Sequence, residues 1–443
     1  MALLRRSPLL TVRALAALGL VLSLLVACSP SAPVAETPTT TPPDSGVALD
    51  ARTVGVTALL DSWTAALRSD DEAALREVID SGADPGFADR EIARAQALRG
   101  LPLSDFGYEI TPGPETPVPV DRADALAATE VWAPNVALRY AWADADIGST
   151  SRDIALVVAR RGDTWRLVSD ADLPQYGRTT WRGPWDFGPV VTERVATGST
   201  TSLVVGHEAQ RAFIDDLAAE LPSAVAAVTE FAGLGWSRRA VLTVTGSDAE
   251  FISAADGFTS TDVAASTIAD PVRGGLVTGQ RIVFGPTAPD RLTDSTRRTV
   301  LRHELTHVAM RAVTGEDAPL WMLEGFADYS GYRGSGLSFE EIAPTLAAVV
   351  RAAGPPRVLP EDSDFAAGGS RGSIAYESAW SVASFVADRF GEPVLRQLYD
   401  RFAAGPTDPT VTDSVFSATL GFGTVDFLAQ WGQWVAEQAA GQS

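Results

Sequence analysis

Residues 303–307 read His-Glu-Leu-Thr-His, and residues 321–329 read Trp-Met-Leu-Glu-Gly-Phe-Ala-Asp-Tyr. Side chains four residues apart lie on the same face of a helix, so His303 and His307 can bind one metal ion while Glu304 stands beside the position left open. The chain has 3 histidines, and two of them fall inside this pentapeptide. The pattern predicts a metal-binding helix.

The residues around the pentapeptide predict where that helix begins and ends. Thr293, Asp294 and the two residues after them are favourable N-cap residues, and Gly315 is a favourable stop signal. A helix between these limits places the histidines beside an apolar stripe, where they can face a cleft. The expected stripe consists of Leu301, Leu305, Val308 and Ala312.

The second segment supplies further acidic groups. Pro319 suits the first position of a helix, and a helical run from 320 to 329 sets Glu324 and Asp328 on one face. Zinc in hydrolases takes three protein ligands and keeps one open position. Glu324 is the candidate third ligand, with His207 as a less favoured alternative. Asp328 is placed to accept the free N–H of a ligating histidine and so to set its tautomer.

The combined pattern resembles the gluzincin metallopeptidases of the peptidase MA clan, and most of all the bacterial peptidase MA-like domains. The resemblance covers roughly residues 190–443, and it implies zinc-dependent hydrolysis of peptide bonds. The Gly-x-Met-x-Asn strand of the aminopeptidase N-like members is absent, so aminopeptidase specificity is not implied. The matching positions are His303-Glu304-x-x-His307 and Trp321-x-x-Glu324-Gly325-x-Ala327-x-Tyr329.

By this resemblance, His303, His307 and Glu324 bind one zinc ion. The ion lowers the pKa of a bound water and polarises the scissile carbonyl, while Glu304 acts as the general base and passes the proton to the leaving amine.

A hydrogen-bond donor for the developing oxyanion is also expected. Tyr376 is the candidate, because related enzymes keep a tyrosine on a helix in a comparable part of the sequence after the ligand glutamate. An aromatic packing role for Tyr376 is an equally good interpretation. The lesser rivals are Tyr329, Tyr332 and Arg371.

The N-terminus predicts the compartment. Residues 1–13 carry three arginines, and residues 14–27 are apolar. Cys28, the single cysteine in the sequence, follows this apolar run. Such a run is too short for a permanent transmembrane helix but suits a signal peptide. The end of the run resembles the lipobox of bacterial lipoproteins, which implies lipidation of Cys28 and a membrane-anchored, extracytoplasmic protein. An ordinary secretory signal is the alternative.

Composition points to a globular protein with a tail. The 443 residues allow two or three domains, and 46% of them are hydrophobic. The formal net charge of −21 argues against nucleic acid as a partner. Residues 28–48 are rich in proline and threonine, which predicts a disordered tether.

Residues 49–175 predict a small α+β domain. One or two amphipathic helices are expected over 54–79, a strand over 129–142, and a hairpin over 153–168 that turns at Arg161-Gly162-Asp163. This order of elements is similar to the cone-shaped domains of the ketosteroid isomerase and nuclear-transport-factor superfamily. A packing or spacer role is favoured over ligand binding.

Residues 190–443 predict the metallopeptidase domain, so the fold class is α+β and multidomain. Residues 190–335 are expected to form strands and helices that carry the zinc site, and residues 336–443 a mostly α part with loops at 354–372 and 405–412. Before the pentapeptide, strands are expected at 201–205, 239–244, 263–268 and 281–284, with a long helix over 207–232. The strand at 263–268 is the candidate edge strand for pairing with an extended peptide.

The preferred hypothesis is therefore a lipid-anchored zinc metallopeptidase with a peptide or protein substrate. Two alternatives stay open: a surface binding or scaffold lipoprotein without turnover, and a zinc hydrolase of non-peptide amides or esters. The sequence carries no signal for an oligomeric state.

Overall fold

The computed structural model of the protein describes residues 45–256 and 263–441. The expected signal peptide, Cys28 and most of the expected tether lie outside these residues. Helix α1 begins at Ser45, inside the range expected for the tether. Among the described helices, none combines the length and the apolar character needed to cross a membrane.

The N-terminal region is mixed α and β. Within the described residues its strands form two sheets of three strands, with the orders β1-β3-β4 and β2-β5-β6. The elements are α1 Ser45–Ser69, α2 Glu72–Val78, α3 Phe87–Leu98, β1 Leu103–Ile110, α4 Val120–Leu126, β2 Glu130–Trp132, β3 Asn135–Trp142, β4 Thr150–Ala155, β5 Val157–Arg161 and β6 Thr164–Ser169.

The strand expected over 129–142 is two strands that belong to different sheets. Pro134 lies between β2 and β3, and proline has no N–H to donate to a strand ladder, so the pairing breaks there. The expected hairpin is present as β5 and β6, with Gly162 at a φ of 60° in its two-residue turn.

The second region contains a mixed sheet of the order β10-β11-β9-β8-β7 among the described strands. The inner pairs β8–β9 and β9–β11 are parallel, whereas β10 pairs antiparallel with β11 and lies at the edge. The elements are β7 Val191–Thr197, β8 Thr200–Gly206, α5 Arg211–Ala232, β9 Val241–Val244, α6 Asp248–Ala254, β10 Ala265–Ile268 and β11 Arg281–Phe284.

The two faces of this sheet bury against different parts of the protein. Val204 and Leu242 pack into the core formed with α5 and the later helices. Leu203, Val205 and Val241 pack instead into the aromatic core of the N-terminal region. Burial on both faces explains why 203–205 is a continuous apolar run. The domain boundaries stay a prediction, and the structure shows close packing across the expected one.

The remainder of the chain is mostly helical, as expected, so the fold is α+β. The helices are α7 Ala288–Arg291, α8 Asp294–Met310, α9 Leu320–Tyr332, α10 Phe339–Ile342, α11 Pro344–Ala353, α12 Asp362–Phe365, α13 Gly369–Phe390, α14 Glu392–Phe402, α15 Pro409–Leu420 and α16 Thr424–Ala439.

Three boundaries differ from the sequence expectation. The loop expected over 354–372 contains α12 and the start of α13, because tertiary packing stabilises helical turns that propensity alone does not predict. The loop expected over 405–412 is shorter, since α15 starts at Pro409. Helix α8 ends at Met310, so Ala312 is exposed and does not extend the apolar stripe.

Candidate metal centre

Helix α8 carries the pentapeptide. Its first turn is capped by the hydroxyl of Thr293, which accepts a hydrogen bond from the Thr296 amide. Leu301, Leu305 and Val308 are buried in the core. The histidines lie on the neighbouring helix face, as their spacing predicts.

Helix α9 is brought against α8 and α13 by glycines. A Cβ atom on Gly325 would lie 2.3 Å from the carbonyl oxygen of Ala379 in α13, and one on Gly331 would lie 2.8 Å from that of Thr299 in α8. Because such approaches exclude any side chain at these positions, the two glycines allow the helix contacts that carry Glu324 to the histidines.

The side chains of three residues converge between α8 and α9. The Nε2 atoms of His303 and His307 are 3.1 Å apart. Glu324 places Oε2 3.4 Å from Nε2 of His303 and Oε1 3.7 Å from Nε2 of His307. Among the described residues, His303, His307 and Glu324 together form a group that could hold a metal ion.

The spacing and chemistry of this group fit zinc. Ligand atoms placed tetrahedrally at about 2.0–2.1 Å from a zinc ion lie roughly 3.3–3.4 Å from one another. The Oε2 atom of Glu324 is buried and makes no hydrogen bond of good geometry with any described residue. A cation between the imidazoles and the carboxylate would satisfy that oxygen and both nitrogen lone pairs.

Asp328 lies one turn after Glu324 and contacts His303. The Nδ1 atom of His303 donates a hydrogen bond of 2.8 Å to Oδ1 of Asp328. An ionised carboxylate can only accept from an imidazole, so Nδ1 carries a proton, and in the neutral form of His303 the Nε2 lone pair faces Glu324. Burial lowers the pKa of His303, but the Asp328 carboxylate outweighs it and raises the pKa well above its usual value.

The charge state of Glu324 suits a metal ligand. Burial by itself would raise the pKa of this carboxyl group, but the electrostatic and hydrogen-bond effects of the neighbouring His307 and His303 imidazoles outweigh it and lower the pKa to about 2. The carboxylate is therefore ionised at neutral pH, as coordination requires.

Glu304 is buried beside the two histidines and contacts the edge of the sheet. Its Oε2 atom accepts a hydrogen bond of 2.6 Å from the hydroxyl of Thr267 in β10. The sequence predicts a strand here but no role for Thr267, because a single threonine in a β-rich run carries no distinguishing signal.

Tyr376 lies on α13, which packs against α9, the helix that carries Glu324. Its hydroxyl is buried and has no hydrogen-bond partner among the residues that the structure describes. Burial raises the pKa of this hydroxyl, and the nearby carboxylates of Glu324 and Asp328 raise it further. Tyr376 therefore keeps its proton at neutral pH and has a free donor to offer.

Of the rival donors, two are engaged elsewhere. The Tyr329 hydroxyl donates to Glu392 over 3.0 Å. Arg371 is paired with Asp364 and its side chain is 64% exposed. Burial raises the pKa of the Tyr332 hydroxyl, and the carboxylates of Asp328 and Glu377 raise it further.

His207 is not part of the metal-ligand group. Its Nε2 atom lies 2.8 Å from Oε1 of Glu250, and its Nδ1 atom lies 2.9 Å from the Pro189 carbonyl oxygen. The structure therefore places His207 outside the group that could hold a metal ion, whereas Glu324 lies beside the two histidines.

No protein-family model and no curated protein sequence matches the chain. Among solved structures, the chain is similar to an M1 zinc metallopeptidase from Deinococcus radiodurans, with 14% identity, 55% of this chain and 52% of that chain covered, and a TM-score of 0.32. A mutant of an M1 zinc metallopeptidase from Deinococcus radiodurans aligns with 13% identity, 64% and 57% coverage, and a TM-score of 0.33.

A two-domain M1 zinc metallopeptidase mutant bound to L-tryptophan aligns with 14% identity, 55% and 52% coverage, and a TM-score of 0.32. The chain thus spans about half the length of several solved chains that it matches.

Proposed function

We propose that this protein is a zinc metallopeptidase that hydrolyses peptide bonds, with one zinc ion held by His303, His307 and Glu324. The observation that carries the proposal is that ligand atoms of these three residues lie within 4.8 Å of one another. Glu304 lies between the two histidines on α8. Zinc bound there would polarise the scissile carbonyl and lower the pKa of a bound water.

The side chains around the ligands have separate roles in this proposal. Glu304 takes a proton from the attacking water and delivers it to the nitrogen of the leaving amine, as the water oxygen bonds to the carbonyl carbon and the C–N bond breaks. Tyr376 donates a hydrogen bond to the carbonyl oxygen as that oxygen gains negative charge. Asp328 keeps His303 in the tautomer that a metal ligand needs.

The position of β10 favours a peptide substrate over a small ester or amide. Among the described strands, β10 is at the edge of the sheet, and it contacts Glu304 through Thr267. An extended peptide added to that edge would bring a main-chain carbonyl towards the base and the ligand cluster.

The decisive experiment measures zinc content and cleavage of a mixed peptide library for the native protein and for Glu304→Gln. We expect about one zinc per chain in both proteins and cleavage by the native protein only. Zinc without Glu304-dependent cleavage would support the scaffold alternative, and hydrolysis of esters alone would support the non-peptide one. Loss of zinc from Glu324→Ala tests the third ligand.

We further propose that Cys28 carries a lipid anchor that holds the enzyme on the extracytoplasmic face of the membrane. The support is the apolar run that ends at Cys28. Labelling of the native protein with a radioactive lipid precursor, and no labelling of Cys28→Ala, is the expected result. Equal labelling of both proteins would exclude the anchor at this residue.

A further inference from the structure

The base and the edge strand are joined by one short hydrogen bond. The Thr267 hydroxyl oxygen lies 2.6 Å from Oε2 of Glu304 and 3.3 Å from the Glu304 main-chain oxygen. A hydroxyl has a single proton to donate, and the shorter, charge-assisted contact to the carboxylate is the stronger one. Thr267 is thus a donor to the side chain of Glu304.

This bond leaves the two oxygens of the carboxylate in different states. Oε2 is occupied by Thr267, so Oε1 is the oxygen left for a water molecule or a leaving group. A carboxylate held by one oxygen has lost rotation about its last side-chain bond, which otherwise has a broad distribution of angles. The hydrogen bond therefore selects one orientation of the base.

Thr267 is itself held firmly. It pairs with Ile282 in the antiparallel ladder of β10 and β11. A β-branched side chain is stiff about χ1, so the position of the hydroxyl follows the position of the strand. Glu304 sits on α8, which packs directly against β10.

We propose that Thr267 is a positioning residue for the general base, one that makes the orientation of the Glu304 carboxylate depend on the strand that receives the peptide. This inference rests on the proposed function. The bond acts through Glu304 and contributes no group to the reacting atoms. Its loss should lower kcat, because the base must be aligned as the proton moves, and should leave KM little changed.

The test compares Thr267→Val, which keeps the shape of the side chain and removes the donor, with Thr267→Ser, which keeps the donor. We expect kcat for Thr267→Val to fall roughly 10- to 100-fold, by analogy with the loss found when the hydrogen-bond partner of a metal-ligating side chain is removed. Thr267→Ser should recover most of the loss. Zinc content should match the native protein in both variants.

Thr278→Val is the matched control. Thr278 donates to the carboxylate of Asp270 over 2.6 Å, so the control removes a bond of the same kind and length away from the ligands. It should change thermal stability to a similar degree and leave kcat unchanged. If Thr267→Val and Thr278→Val have the same kcat as the native protein, the positioning role is refuted.

A second readout does not depend on turnover. Crystal structures of the metal-free native protein and Thr267→Val should show one Glu304 rotamer in the former and a displaced or multiply oriented carboxylate in the latter. An unchanged Glu304 rotamer would overturn the inference even if kcat fell. Failure of the proposed function is distinguishable, because it would appear as absence of Glu304-dependent cleavage in the native protein itself.

Discussion

The Nδ1 atom of His303 lies 2.8 Å from Oδ1 of Asp328, although the two residues are on different helices. This pair sets the tautomer of one predicted ligand before any metal binds. We expect Asp328→Asn to weaken zinc binding by roughly 10- to 100-fold, as is typical when the partner of a ligating histidine is removed. Competition with a chelator measures the change.

Asp294→Asn is the control for that experiment. Asp294 lies at the start of α8, the helix that carries His303, and its side chain is 90% exposed. Zinc affinity should be unchanged in this variant. Equal affinity of Asp328→Asn and the native protein would show that Asp328 does not support the ligand.

Tyr376→Phe should lower kcat by roughly 100-fold or more with unchanged zinc content, because removal of one oxyanion donor has an effect of this size. The buried hydroxyl has no hydrogen-bond partner among the described residues, so its removal breaks no bond of the folded protein. Steady-state kinetics on a peptide substrate make the measurement. Tyr329→Phe is the matched control, since Tyr329 donates to Glu392. A larger effect of the control would reassign the donor.

Gly325→Ala should disrupt the metal centre without touching a ligand. The added Cβ would lie 2.3 Å from the Ala379 carbonyl oxygen, which forces α9 and α13 apart and moves Glu324. We expect a loss of about 1–3 kcal/mol in the free energy of unfolding, measured with chelator present, and reduced zinc content.

Gly235→Ala is the comparison for Gly325→Ala, because a Cβ there meets no atom within 4 Å. Gly235→Ala should leave the free energy of unfolding and the zinc content unchanged. If Gly325→Ala binds zinc with native affinity, the helix contact does not position Glu324.

The packing between the two regions should depend on a buried ion pair. Arg281 at the start of β11 binds Asp146 through two bonds, of 2.7 and 2.8 Å, and the two side chains are 5% and 6% exposed. Asp146→Ala leaves a buried arginine unpaired, so the free energy of unfolding should fall by about 3–5 kcal/mol in chemical denaturation.

The exposed pair of Arg351 and Glu340 provides the contrast, with side chains 45% and 65% exposed. Glu340→Ala should lower the free energy of unfolding by at most about 1 kcal/mol. Similar losses for Asp146→Ala and Glu340→Ala would mean that the buried pair adds nothing to the packing of the two regions.

Stability should depend on pH through His207. Hydrogen bonding to Glu250 raises the pKa of this histidine above its ordinary 6.5. Because the pKa of His207 is higher in the folded state than in the unfolded state, its stabilising contribution is fully present below pH 6.5. That contribution is lost as the pH rises through the pKa of the folded state. The difference in unfolding free energy between the native protein and His207→Gln should therefore shrink as the pH is raised above 6.5. A constant or growing difference would contradict the assignment.

Local patterns in the sequence were sufficient to predict part of the candidate site. The spacing of His303 and His307 places them on one helix face wherever that helix packs, and the same holds for Glu324 and Asp328. The β5–β6 hairpin follows from an equally local signal, whereas α12 and the start of α13 do not. Pro134 was a local signal too, and it marks the break between β2 and β3 that the alternating pattern concealed.

The sequence by itself therefore determined which side chains share a face, because helix and strand periods are properties of neighbouring residues. Only the tertiary structure decided which faces meet. The approach of Glu324 to the histidines depends on Gly325 against Ala379, 54 residues apart in the chain, and the base is held by Thr267, 37 residues before it. Contacts at such separations arise from packing of the whole core, which no local pattern encodes.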